Sequence, residues 1–279
     1  MAPPIVLTTD FGLSDSYVGV MKGVILGINP HIAIIDLTHL IQPQNIRQAA
    51  FVLGTSHHYF PTGTVHVVVV DPGVGTQRKA VVLDTPRARL LAPDNGALSY
   101  VLADYLEHPP ERPGIAAVPP QCRAYQLTET QYWLHPVSNT FHGRDIFAPV
   151  AAHLSLGVQL DALGTPLSEL VWLPAPQPVE EKGRILGQVI YSDHFGNLIT
   201  NIPKRLIAPG SSAMVEIKDH CIAGLRTAFH HGSGEADGDL VALIGSHGYL
   251  EIAVPDGSAA ALLNAGPGEP VKVSLTRLS

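Results

Sequence analysis

Residues 64–84 read TVHVVVVDPGVGTQRKAVVLD. A β-branched run stops at Asp71, the turn formers Pro72, Gly73 and Gly75 follow, and after Arg78 a second apolar run begins. Each run is long enough for a strand and shorter than a typical helix. Their near-continuous apolar character suits a sheet covered on both faces. Outward from this stretch, IVLTTD (5–10), IAIIDL (32–37) and RLLAPD (89–94) also read as strands. Helical spacing lies between them. Tyr17, Met21, Val24, Ile25 and Ile28 follow a cap at Asp15 or Ser16 and precede Pro30; Ile46, Ala50 and Leu53 fall within 45–59; ALSYVLADYL spans 97–106. This alternation predicts an α/β N-terminal domain with a mainly parallel central sheet.

The text changes at GTPLSELVWLPAPQPVEEKG (164–183), whose prolines and weak periodicity read as a linker. Beyond it, RILGQVIYS, NLITNI, AMVEIK, LVALIG, YLEIAV and VKVSL are short β-like segments, many separated by glycine turns. They predict a smaller all-β, barrel-like C-terminal domain. The expected boundaries are 1–166, a linker over 167–183, and 184–279.

The chain has 279 residues, 46% apolar and 15% charged, with a formal net charge of −7. That composition excludes a disordered chain. Without a Lys/Arg block, nucleic acid is not an expected partner. No run approaches the ~18 apolar residues of a membrane span, so no membrane partner is expected. The N-terminus MAPPIVLTTDFG has no basic n-region and does not read as a signal peptide. Cys122 and Cys221 form neither a CxxC pair nor a metal-type spacing. The expectation is a cytoplasmic protein without a disulfide framework.

Several segments carry candidate chemistry. In TTDFGLSDSY (8–17), Asp10 ends a strand at the sheet's carboxyl edge, where open α/β sheets bind ligands. The turn is not GxGxxG, so the ordinary dinucleotide fingerprint is absent. Asp10 can accept bonds from a vicinal diol, or Asp10 and Asp15 can simply shape a turn and cap a helix. Asp71 and Arg78 meet if the second strand pairs back, as a turn-closing ion pair or as a functional one. TFHGRDIFAP (140–149) opens a helix with Pro149 in its first turn, placing His142 and Gly143 at the helix mouth. In SDHFGNLITNI (192–202), period two puts Asp193, Phe195 and Asn197 on one face: a carboxylate, a ring and an amide. GSHGYLEIAV (245–254) places Ser246 in a glycine-flanked turn that can hold a carboxylate. The pairs His57–His58 and His230–His231 lack the spacing of a zinc site, and no metal is expected.

Together, TTDFG (8–12), DPGVGTQR (71–78), APDNG (92–96), FHGRD (141–145), DHFGNLITN (193–201) and GSHGYLEIA (245–253) resemble the S-adenosylmethionine hydrolases, or hydroxide adenosyltransferases. The halogenating enzymes that attack the same substrate are their relatives. Six segments in order are far more specific than any one. The resemblance implies an α/β domain followed by a barrel-like domain, assembled as a homotrimer with active sites between subunits. It implies a catalytic trio at Asp71, Arg78 and His142. It places Asp10 on the ribose hydroxyls, Asp15 and Asp193 on the methionine ammonium, Ser246 on its carboxylate, and Phe195 and Asn197 at adenine. Halogenating relatives lack the trio and carry a small hydroxyl residue in the place of Gly143. The resemblance thus implies hydrolysis of S-adenosyl-L-methionine, the substrate, to adenosine and methionine, with no cofactor. The rivals are a halogenase, a non-catalytic adenosine or S-adenosylmethionine sensor, and a metal-dependent phosphoesterase built on Asp10, Asp71 and His142.

Overall fold

The computed structural model describes residues 3–207, 211–229 and 239–277. The chain divides into two compact units, Met1–Pro174 and Ala175–Ser279.

The N-terminal unit is built on strands β1 (Ile5–Thr9), β2 (Ile34–Thr38), β3 (Thr64–Val69), β4 (Ala80–Asp84), β5 (Ala88–Pro93), β6 (Gly114–Ala117), β7 (Arg123–Leu127), β8 (Gly164–Leu167) and β9 (Glu169–Trp172). Seven of these form one sheet in the order β2-β1-β3-β5-β4-β7-β8, while β6 and β9 pair separately. The neighbours β2-β1-β3-β5 are parallel, and the pairs from β5 onward to β8 are antiparallel. The sheet is therefore mixed. The change of direction has a local cause: β4 and β5 are joined by three residues, too few for a parallel crossover. Thr85 makes the turn by accepting the Arg87 and Ala88 N–H groups on its hydroxyl.

Both faces of the sheet are covered. Val65, Val67 and Val69 of β3 pack with Met21 and Ile25 of helix α1 (Tyr17–Ile28) on one side. Val68, and Val70 just past the strand, pack on the other with Ala49 and Leu53 of α2 (Ile46–Ser56) and Val101 of α3 (Ser99–Ala103). The alternation along one strand is what lets a single sheet serve two layers. Helix α3 is shorter than the 97–106 expected. After a single π turn over Gly143–Phe147, helix α4 (Ala148–Ser155) joins the first layer, with Pro149 in its opening turn as expected. The proline-rich stretch expected as a linker is not bare connector. Its β8 completes the large sheet and its β9 pairs with β6. Those contacts were invisible in the sequence because the strands are only four residues long and broken by the proline-rich text around them.

The C-terminal unit contains β10 (Val179–Glu181), β11 (Arg184–Ser192), β12 (Leu198–Pro203), β13 (Ser211–Ile217), β14 (His220–Ala223), β15 (Val241–Ile244), β16 (Tyr249–Ala253) and β17 (Pro270–Arg277), with a short helix α5 (Ala259–Leu263). Its sheet runs β14-β13-β17-β11-β12-β16-β15, with β10 on β11, and every pair is antiparallel. A bridge from Arg226, just past β14, to Leu243 in β15 ties the two ends of this order together. The sheet is thereby barrel-like, as expected, around a core that includes Val189, Val215, Leu250, Ile252 and Val273. Among the described residues, no helix is long and apolar enough to cross a membrane.

Candidate active site

Strand order sets the site. From β2, the chain returns past β1 to place β3 on its other side, so direction reverses between β1 and β3. Such a switch point opens a crevice at the carboxyl ends of the strands. Asp10 directly follows β1, and Asp71 lies two residues past β3. The two carboxylates therefore stand at the carboxyl ends of the adjacent strands that flank the switch.

Asp71 is clamped by Arg78. Arg78 Nε donates to Asp71 Oδ1 at 2.9 Å and Oδ2 at 2.8 Å, and Nη2 also donates to Oδ2. The same Nη2 lies 3.0 Å from His142 Nδ1. An arginine can only donate, so Nδ1 is the acceptor and the neutral ring carries its proton on Nε2. Burial and the Arg78 charge push His142 below the usual histidine range, against the pull of Asp71, Asp145 and the Ser138 backbone. The Arg78 guanidinium also lies over the Phe147 ring, 5.5 Å from its centroid. Among the described residues its Nη1 takes no hydrogen-bond partner.

Loop residues hold this network in place. Gly75 adopts φ +75°, and any Cβ there would collide with the Asn139 carbonyl oxygen. Glycine thus lets the 71–78 turn seat against the loop that delivers His142. That second loop is organised by Asp145, which is fully buried. Asp145 Oδ2 accepts from Ser138 N (2.8 Å) and Ser138 Oγ (2.7 Å), Oδ1 accepts from Arg144 Nε at 2.5 Å, and Ser138 Oγ accepts from Phe141 N. Asn95 Nδ2 donates to the Val70 carbonyl at 2.9 Å, steadying the backbone next to Asp71. Sequence reading missed Asp145, Asn95 and Gly75 as positioning residues. Their signal was present in HGRD, APDNG and DPGVG, but only contacts reveal what each one holds.

The other expected residues of this unit are placed as follows. Asp10 Oδ2 accepts from Gln44 N at 2.7 Å, so it fastens a neighbouring loop. Asp15 is exposed ahead of α1, and neither it nor Ser16 makes the side-chain cap expected. Phe11, Tyr17 and Phe141 form an aromatic triangle with centroids 5.1 to 5.7 Å apart. A Cβ on Gly143 would lie 3.1 Å from Phe141, 3.2 Å from Met21 Sδ and 3.3 Å from Phe11, so the wall beside His142 is tight.

In the C-terminal unit, Asp193, Phe195, Asn197 and Ser246 line one cavity of about 960 Å³. The expected strand through 193–197 is instead a turn. Asp193 Oδ1 accepts from Phe195 N and Asn197 N (both 2.9 Å), and Oδ2 accepts from Asn197 Nδ2 at 2.8 Å. An aspartate that bonds the backbone two residues on makes a turn, and Gly196 at φ +82° completes it. Period two therefore does not place these side chains; the turn does. It leaves Phe195 73% exposed, an uncovered ring at the cavity. Ser246 sits in a turn closed by Gly248 N donating to the Gly245 carbonyl.

The sequence matches the family model of the SAM hydroxide adenosyltransferase N-terminal domain over residues 5–164 and that of the C-terminal domain over 187–272. It is 36% identical to a protein of Salinispora tropica named (R)-S-adenosyl-L-methionine hydrolase, over 98% of each chain. It is 39% identical to one of the same name from Thermus thermophilus, over 97% of this chain and 99% of that one. A fluorinase of Actinopolyspora mzabensis is 26% identical over 98% and 97%. Among solved structures, an uncharacterized conserved protein from Thermotoga maritima superposes with a TM-score of 0.83 at 37% identity, covering 97% of this chain and 99% of that one. Fold, order of motifs and full-length similarity agree: the chain belongs to the SAM hydroxide adenosyltransferase family.

Proposed function

We propose that this protein hydrolyses S-adenosyl-L-methionine to adenosine and L-methionine, by in-line attack of an activated water on C5′. The observation that carries the mechanism is the network joining Asp71, Arg78 and His142, with the Nη1 N–H pair left open among the described residues. The substrate is a sulfonium, so its leaving group departs as a neutral thioether and needs no proton. The enzyme's task is to place a water behind C5′ and lower the cost of its deprotonation. Bulk water has a pKa of ~15.7, so an oxygen that is becoming hydroxide needs a nearby cation. Arg78 Nη1 supplies it. Asp71 holds Arg78 rigidly, and its Oδ1, which accepts only the Nε bond, takes the water proton and returns it to solvent. His142, neutral and bonded to Arg78, helps hold the incipient hydroxide beside that guanidinium. A new C–O bond forms as the C–S bond breaks, with its electron pair going to sulfur. Correct positioning of the water contributes ~7 kcal/mol or more.

Within this reading Asp10 binds the ribose hydroxyls with its free oxygen, Asp15 and Asp193 receive the ammonium, Ser246 the carboxylate, and Phe195 and Asn197 the adenine. No cofactor takes part. The proposal includes a cytoplasmic location and a homotrimer with sites shared between copies, supported by ligand-type residues in both units. Its test is incubation of the purified protein with S-adenosyl-L-methionine in ¹⁸O-water, with and without added chloride or fluoride. Adenosine bearing one ¹⁸O at C5′, and no halogenated nucleoside, is the expected product. A halogenated product, or no turnover despite binding, defeats the reading.

A further inference from the structure

The C-terminal cavity contains a second carboxylate that the proposed reaction has not used. Glu251 lies in β16, in register with Leu243 of β15 and Ile199 of β12. Its strand neighbours Leu250 and Ile252 belong to the core of the unit. Alternation turns Glu251 to the opposite face, where the small apolar group of Val241, Leu243 and Ala253 lies and the cavity is lined by Leu243 and Glu251 together. Glu251 is only 5% exposed, yet among the described residues nothing donates to it and no cation pairs with it. An unpaired buried carboxylate is costly and does not persist in an apolar layer without a compensating partner. Burial, and then the negative charge of Asp193, push its carboxyl above the usual glutamate range. A bound cation would relieve both. Gly245 is shaped to this side chain, since any Cβ there would collide with Glu251 Oε2. Asp193, by contrast, already accepts three hydrogen bonds from its own turn.

We propose that Glu251 is a specificity-determining residue that receives the α-ammonium of the amino-acid part of the substrate alongside Asp15 and Asp193, Asp193 adding only its remaining acceptor capacity. The proposal rests on the reaction assigned above and names a further group in the same site. Carboxylates gathered on one ammonium favour a ligand that carries the amino-acid part, so the site selects the full substrate over adenosine alone.

The test compares wild type with Glu251→Gln, Glu251→Asp and Gly245→Ala, measuring KM and kcat for S-adenosyl-L-methionine and calorimetric affinity for adenosine and for L-methionine. Glu251→Gln is expected to raise KM about tenfold, the size of a lost charge-assisted bond, and to leave adenosine affinity within about twofold. Glu251→Asp recovers part of the loss. Gly245→Ala, which keeps the charge but displaces it, raises KM in the same direction. Retained adenosine binding shows that each variant is folded. An unchanged KM in Glu251→Gln overturns the proposal, and so does an equal loss of adenosine affinity, which would put the carboxylate at the nucleoside. If wild type does not turn over the substrate, the reaction assignment fails on its own. Glu251 is then judged by L-methionine affinity, which must fall in Glu251→Gln.

Discussion

Asp71 and Asp193 are both aspartates that follow a strand and head a turn, but they are used in opposite ways. Asp71 gives its oxygens to an arginine. Asp193 gives its oxygens to the backbone and amide of its own turn. The first arrangement is a closed set of charges, paired before any ligand arrives. The second shapes a cavity that also holds Glu251, a buried carboxylate with no partner among the described residues. Bond-making chemistry requires groups that do not reorganise, so they are mutually locked. Recognition of a charged ligand requires groups whose partner is missing until it binds.

The contrast can be broken most severely at Asp71. Asp71→Ala is expected to lower kcat by about 100-fold or more while adenosine still binds, because it removes the proposed proton acceptor and frees Arg78. It also leaves a buried guanidinium unpaired, so stability should fall by roughly 3 kcal/mol in a denaturant titration. Full turnover in this variant would show that the closed network is structural.

A smaller loss, roughly 10- to 30-fold in kcat, is expected for Gly75→Ala. The added methyl strains a positive φ and pushes the Asn139 carbonyl, and with it the His142 loop, away from Arg78. KM should change little. A rise in KM without a loss of kcat would mean that the turn contacts substrate instead of positioning the network.

Asp193→Ala should reverse that pattern. KM for S-adenosyl-L-methionine is expected to rise about tenfold with kcat within a few-fold, since the turn carrying Phe195 and Asn197 loses its hydrogen bonds. A selective kcat loss would erase the distinction between the two regions.

The smallest effect on turnover is expected at His66, which lies in β3 upstream of Asp71. It is fully buried, neither ring nitrogen has a hydrogen-bond partner among the described residues, and burial lowers its pKa from 6.5 to about 4. The ring is neutral in the folded state and more readily protonated in the unfolded one. Its contribution to stability is therefore complete above pH 6.5 and is lost as pH falls toward 4, by roughly 3 kcal/mol. His66→Val should flatten this acid limb of the stability curve and leave neutral-pH kcat unchanged. An unaltered acid limb would mean that other groups set it.

Much of this molecule was legible before folding was considered. The near-continuous apolar run of β3 announced a sheet with two covered faces, and the two covering layers are there. The short excursion from Asp71 to Arg78 made their meeting conditional on the second run pairing back on the first; the two do meet, although β5 lies between β3 and β4. The antiparallel half of the sheet was less visible, although the three-residue β4–β5 connection already forbade a crossover. The 193–197 segment was misread as strand because alternation of side-chain types mimics period two, whereas the Asp193 hydrogen bonds decide the local backbone. Glu251 was passed over for a similar reason: a glutamate inside YLEIAV looks like the solvent-facing member of an edge strand. Only the segments around β16 reveal that its face is covered.

The sequence by itself determined the identity of the elements, the chemistry available at their ends and the meeting of residues a few positions apart, because propensity, periodicity and turn geometry act over short distances along the chain. Tertiary structure alone decided that β3 lies on the far side of β1 from β2, that His142 comes from more than sixty residues away to Arg78, and that Glu251 is buried without a partner among the described residues. Those outcomes depend on which apolar faces pack together, a cooperative balance over the whole core that no single stretch of residues encodes.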